Sequence, residues 1–246
     1  MKKHLPLILT IILTGCAVQP TPAVAPTRLP FMVAITPTLT PLGDALQICA
    51  TALPDSALIV EPIPANALSL EDVALVFRLG EPVEPAAFAA PLAWEQVVLV
   101  LHPDNPISAL TPEQIKNLFT GRVHNWTELG GNDIEVQVWA EAEGSEIRAA
   151  FDAQVMAGGI LGPQVHLAPD PAAMLAAVSE ERGAVGYLPR AWLTGDVQAL
   201  DLGIELPVLA LANAEPQGPA RDLLLCLQGE SVQQLLGSRY TPIGSK

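Results

Sequence analysis

Apolar residues run unbroken over residues 97–101 (VVLVL), and the pattern changes abruptly after them. Five successive apolar positions without polar alternation predict a strand buried on both faces. The next segment, His102-Pro103-Asp104-Asn105-Pro106, ends it, because proline removes a ladder donor and Asp and Asn favour turns. Thr111-Pro112-Glu113-Gln114 then predicts a helix start: Thr111 as N-cap, Pro112 at the first helical position, and Gln114 closing a capping box. Ile115, Leu118 and Phe119 recur at helical spacing on one face, and Gly121 ends the helix.

The same reading extends along the chain. Residues 31–35 predict a short apolar strand, followed by a Thr/Pro turn and a helix carrying Ala45, Leu46, Ile48, Cys49 and Leu53. Residues 57–61 and 135–140 predict further strands. Residues 170–179 predict an amphipathic helix with Met174, Leu175 and Val178 inward. Residues 183–187 (GAVGY) predict a buried strand whose glycines permit close packing. Residues 206–212 predict a late strand and residues 219–227 a helix. Strands alternating with helices indicate an α/β fold, and the chain shows no internal repeat.

The first residues change the picture. Lys2 and Lys3, an apolar stretch over 5–13, and Leu13-Thr14-Gly15-Cys16 read as a targeting segment, 1–16, ending in a lipidation signal at Cys16. The apolar stretch is too short to remain as a membrane span. Residues 17–30, rich in Pro, Thr and Ala, read as an extended tether. The chain has 246 residues, half of them hydrophobic, enough for one large domain or two small lobes. Its net charge of −14 makes nucleic acid or an anionic membrane surface a poor partner, while leaving a local anion site open. Outside the cytoplasm a disulfide between Cys49 and Cys226 is permitted, but spacing alone does not establish one, and two buried free thiols are the expectation. There is no CxxC and no His/Cys cluster, so no metal site and no cofactor is expected. The four histidines, His4, His102, His124 and His166, are scattered, and no nucleophile–base arrangement marks an enzyme.

The stretch over 97–131 resembles the phosphate-type substrate-binding proteins of ABC transporters, which carry a strand, "NPxNP", then "LTxEQLxxIFxGxxxNWxxxGG". Asn105-Pro106, Leu110-Thr111, Glu113-Gln114-Ile115, Phe119-Thr120-Gly121, Asn125-Trp126 and Gly130-Gly131 stand in register with that pattern. Residues 183–187 are similar to its "GAIGY", and the closing SVQQLLGSRYTPIG is similar to its C-terminus. The resemblance implies a two-lobed periplasmic-binding-protein-like fold (type II), each lobe a mixed sheet flanked by helices, with two hinge crossings. Lobe 1 is expected over 31–101 and 205–246, and lobe 2 over 102–204. It further implies a monomeric, lipid-anchored extracytoplasmic protein that binds phosphate or a related oxyanion in the cleft and serves an ABC permease.

The resemblance also names the residues. Thr36 and Thr38 stand where the family's "GSSTVxPL" turn has its ligand-holding hydroxyls, and a helix start offers unpaired N–H groups to an oxyanion. The alternative is that these threonines only cap a helix. Pro37 removes one N–H that an oxyanion would use. Arg78 matches the arginine of the family's "SRPL", where it lines the cleft or remains a solvated charge. Residues 141–151 resemble "RESGSGTRxxF": Gly144, Ser145, Arg148 and Phe151 are kept, while Glu141 stands for the leading Arg, Glu146 for Gly and Ile147 for Thr. A like charge at ~4 Å costs a few kcal/mol at the effective dielectric of a protein surface. Either Glu143 and Glu146 point to solvent, or the ligand is not a phosphate-like dianion, or binding has been lost. An acid in a first helical turn also suits the helix dipole with no ligand at all.

Overall fold

A computed structural model describes residues 28–53 and 55–244. The expected targeting segment, Cys16 and nearly all of the tether lie outside the described residues. In chain order the strands are β1 (Leu29–Ile35), β2 (Ser56–Pro62), β3 (Leu75–Leu79), β4 (Phe88–Leu101), β5 (Gln137–Glu141), β6 (His166–Ala168), β7 (Ala184–Pro189), β8 (Gln198–Ala212) and β9 (Thr241–Pro242). The α-helices are α1 (Gly43–Thr51), α2 (Pro112–Phe119), α3 (Glu146–Phe151), α4 (Pro171–Glu180), α5 (Pro219–Leu227) and α6 (Glu230–Leu236).

The strands follow the order β2-β1-β3-β8-β4-β7-β5-β6, with β9 on β4. Two parallel flanks, β2-β1-β3 and β7-β5-β6, meet at a central antiparallel pair. That pair is long. The run expected over 97–101 is only the second half of β4, which begins at Phe88. The first half of β4 lies beside the part of β8 that pairs with β3; its second half pairs with β7. The chain therefore passes from one flank to the other in β4 and returns in β8. Register shifts at Pro91/Ala93 and Val97/Val98 bend the pair where the flanks join.

Burial follows the sequence pattern. Val97, Leu99 and Leu101 enter the main core, while Val98 and Val100 enter a second cluster with Met174 and Val178 of α4. Both faces of β4 are thus covered, which is why the run shows no polar alternation. Helix α2 has the expected capping box: Gln114 N donates to Thr111 Oγ1 at 3.2 Å, and Thr111 N donates to Gln114 Oε1 at 2.8 Å. Trp126 is buried and its Nε1–H donates to Gly183 O at 3.0 Å, tying the aromatic loop to the start of β7. Replacing Trp126 with Phe removes that bond and part of the ring volume. The expected cost is about 1–3 kcal/mol, measured as a lower urea midpoint at unchanged m-value.

One expectation is corrected. Cys49 and Cys226 are not two free thiols: they form a disulfide joining α1 to α5. They are 177 positions apart, so their meeting depends on how the helices dock, which spacing does not reveal.

Candidate functional site

A cavity of about 260 Å³ lies between the flanks, lined by residues 37–38 and 64–66 on one side and 141–146 and 169–171 on the other. Its second wall is positioned from below by aromatic packing. Phe151 stacks on Tyr187 with ring centroids 4.0 Å apart, and Phe119 lies 4.5 Å from Phe151. The Tyr187 hydroxyl accepts the N–H of Glu141 at 3.2 Å, fixing the point where β5 gives way to the loop before α3. Gly144 turns that loop with φ 91°, a conformation that favours glycine, and a Cβ there would sit 2.8 Å from Asn66 Nδ2 across the cavity.

Ser145 caps α3. Its Oγ accepts Arg148 N at 3.3 Å, and its hydroxyl donates to Glu141 Oε2. Arg148 faces away from the cavity: Nε donates to Asp152 Oδ2 at 2.7 Å and Nη1 to the Glu141 carbonyl at 2.8 Å. Thr36 is fully buried at the start of the 3₁₀ turn Pro37–Leu42, and its Oγ1 makes no close hydrogen bond, Glu146 being the acceptor on which it acts. Neither Thr36 nor Thr38 caps a helix through its side chain; the capping alternative is not observed at this turn. Thr38 borders the cavity.

Of the expected residues, Thr38, Gly144 and Ser145 line the cavity itself, and Thr36 and Arg78 approach it through Glu146. Arg148 is engaged elsewhere. The residue the sequence left undirected is Glu146. Glu143 is exposed, but Glu146 is buried and points inward. Its Oε1 accepts Leu79 N at 3.0 Å and stands 4.0 Å from Arg78 Nε. Burial raises its pKa, against the pull of the Leu79 N–H, the Thr38 hydroxyl, Arg78 and the Thr36 hydroxyl. The N–H, hydroxyl and guanidinium groups that could hold an oxyanion thus converge on a side-chain carboxyl. The signal was in the sequence as Glu146 replacing the family's glycine; its direction was not.

Four carboxylates border the cavity, Glu141, Glu143, Glu146 and Asp170, and no Lys or Arg does. Burial pushes the Glu141 pKa up to about 7; its bond from Ser145 opposes the rise, and Glu146 and Asp170 add to it. Asp170 is also the N-cap of α4, its Oδ1 accepting Ala173 N at 2.8 Å.

Relatives fit this architecture. The chain is 28% identical over 162 residues to the phosphate-binding protein PstS of Bacillus subtilis (strain 168), covering 58% of this chain and 53% of that one. The chain spans about half the length of the curated relatives it matches, or less. Among solved structures, a putative phosphate ABC transporter substrate-binding protein with bound phosphate from Clostridium perfringens superposes with TM-score 0.78 at 19% identity, covering 87% of this chain and 98% of that one. The Synechocystis PCC6803 CcmR regulatory domain in complex with 2-PG superposes with TM-score 0.64 at 15% identity, covering 81% and 96%. At such identities these likenesses concern the fold alone. The PBP superfamily domain matches residues 64–217, well over half of the sequence, and the chain belongs to that family.

Proposed function

We propose that this protein is a lipid-anchored extracytoplasmic binding lipoprotein of the substrate-binding type whose oxyanion position is filled by its own Glu146. The observation that carries this reading is the Glu146 carboxyl on Leu79 N, beside Arg78, Thr36 and Thr38. A tethered carboxyl competes with a free anion at very high local concentration, and in its ionised form it also repels a dianion. The anchor rests on the Leu13-Thr14-Gly15-Cys16 signal, and the lobes are those of residues 31–101 with 205–246 and of residues 102–204. It acts as a monomer. Its function is binding rather than catalysis, in keeping with the names of its relatives.

A second reading keeps phosphate or a related oxyanion as ligand and an ABC permease as partner. It is favoured by the relatives, phosphate-binding protein PstS among them. In that reading Glu146 swings out when the anion enters.

Thermal unfolding of the full chain, with and without millimolar phosphate, sulfate or molybdate, separates the two. A ligand at 100 times its dissociation constant stabilises by ~2.7 kcal/mol, or roughly 5–10 °C at this size. The expected result is a shift below about 1 °C for every anion in the wild type. Glu146→Gly, which vacates the position, is expected to acquire a phosphate-dependent shift. A full shift in the wild type would overturn the first reading and establish the second.

A further inference from the structure

We propose that the cavity between the flanks takes a small organic cation, an alkyl primary ammonium or diamine, held by Glu141 and Glu146. This deepens the reading in which the oxyanion position is self-occupied, and it rests on that reading. Glu141 Oε1 carries it, with Glu146 as the second acid of the same wall. Glu141 Oε1 and Glu146 Oε2 are both buried without a hydrogen-bond partner, on residues that are 1% and 7% exposed and that both line the cavity. A buried carboxylate oxygen left unpaired is costly, and Glu141 Oε1 lacks a donor: Ser145 donates to the other oxygen and the charged groups acting on it, Glu146 and Asp170, are acids, whereas Glu146 has Leu79 N–H, Arg78 and the Thr36 and Thr38 hydroxyls beside it. Among the residues lining the cavity there is no Lys or Arg to supply one. An ammonium group supplies three donors and a compensating charge in one atom. Carboxyl torsions are broad, so Glu141 Oε1 can turn to a guest without backbone movement, while Glu146 stays on Leu79 N.

The walls narrow the class further. Pro37, Pro64, Pro169 and Pro171 border the acids with rigid apolar surface suited to a methylene chain. No aromatic residue lines the cavity, so the face-on cage that selects quaternary ammonium is missing. Among the described residues no group of three or more His, Cys, Asp or Glu is placed to hold a metal ion, which favours an organic cation over an inorganic one.

Occupancy should follow pH. Glu141 faces Glu146 of α3 and Asp170 at the start of α4; its peptide groups face the Tyr187 hydroxyl of β7 and Arg148 of α3. Glu146 faces Arg78, Thr36 and Thr38 from the other flank. With Glu141 losing its proton near pH 7, the ammonium gains its counter-charge as pH rises.

The test is calorimetric titration of the full chain with 1,4-diaminobutane, tetramethylammonium and inorganic phosphate at matched ionic strength, at pH 6 and pH 8. The expected result is one diaminobutane site, about tenfold tighter at pH 8 than at pH 6. Tetramethylammonium and phosphate should give no binding. Glu141→Gln, which keeps the side-chain shape, should weaken diaminobutane about tenfold or more and flatten its pH dependence. If that variant does not fold by far-UV circular dichroism, Glu146→Gln, whose amide oxygen can still accept Leu79 N, should weaken diaminobutane several-fold, while the exposed Glu143→Gln should leave it within about twofold. No diaminobutane heat with phosphate also silent would overturn the cation while leaving the self-occupied site standing. Phosphate binding to the wild type would overturn the underlying reading itself. Diaminobutane affinity unchanged in a folded Glu141→Gln variant, or tetramethylammonium binding as tightly, would reduce the effect to general attraction by an acidic chain and overturn the proposal.

Discussion

Opening the Cys49–Cys226 disulfide is expected to cost this fold about 2–5 kcal/mol of stability. The bond closes a loop of 177 positions, and loop-closure entropy alone gives an upper value of about 5 kcal/mol for a loop of that length. It joins α1, near the beginning of the described chain, to α5, near its end, and both helices pack into the same core. Cys49 is wholly buried and Cys226 packs against that core, so the reduced thiols would remain in place and the loss would fall mainly on the unfolded ensemble. For a chain of this size the expected fall in melting temperature is roughly 5–15 °C. The measurement is thermal unfolding of the wild type with and without reductant, beside a Cys49→Ala/Cys226→Ala variant. The variant should melt with the reduced wild type and be indifferent to reductant. If reductant moves the wild type by less than a degree or so, the bond does not form in solution.

What the sequence could reveal depended on the range of the interaction. The capping box at Thr111 and Gln114 and the turn at residues 102–106 are local, and they stand where the pattern put them. The double-sided burial of residues 97–101 was equally legible, because covering both faces leaves no polar alternation to find. The site was legible only in part. Gly144 and Ser145 form the turn and cap their types suggest. Arg148 is engaged by Asp152 and the Glu141 carbonyl, partners that any arginine in a first helical turn can find nearby. Glu146 was ambiguous because a first-turn acid normally sits in water beside the helix dipole. Here its partner is the N–H of Leu79, 67 positions away, and no local pattern encodes that meeting. Glu95 was missed altogether. In β4 it shares the face of Ala93, Val97 and Leu99, where an apolar residue is expected, and it is 1% exposed with the turn at residues 190–192 packed over it and Ala191 N donating to it.

That buried glutamate sets the second large effect: stability should fall as pH rises from about 5 to about 8. Glu95 Oε1 accepts the N–H groups of Gln96 at 3.0 Å and Ala191 at 3.3 Å, while its Oε2 has no partner. Burial pushes its pKa from the ordinary 4.5 up to about 8; those N–H groups and the nearby Arg190 only partly oppose the rise. The unfolded chain therefore gives up this proton near pH 4.5 and the folded chain near pH 8. Between those values the folded state holds more protons, so each rise of one pH unit favours unfolding by up to ~1.4 kcal/mol. Below the lower value both states are protonated and no penalty applies. Across the window the loss amounts to a few kcal/mol. Glu141 and Glu146 are shifted in the same direction and steepen the wild-type slope. Glu95→Gln isolates the share of Glu95, because the amide oxygen can still accept both N–H groups while carrying no charge. Urea unfolding at intervals from pH 4.5 to pH 8.5 should find variant and wild type close together at the acid end. The variant should be more stable by a few kcal/mol at the alkaline end. Parallel curves would mean that Glu95 ionises alike in both states, with water or the buried, unpaired Tyr240 hydroxyl meeting its charge.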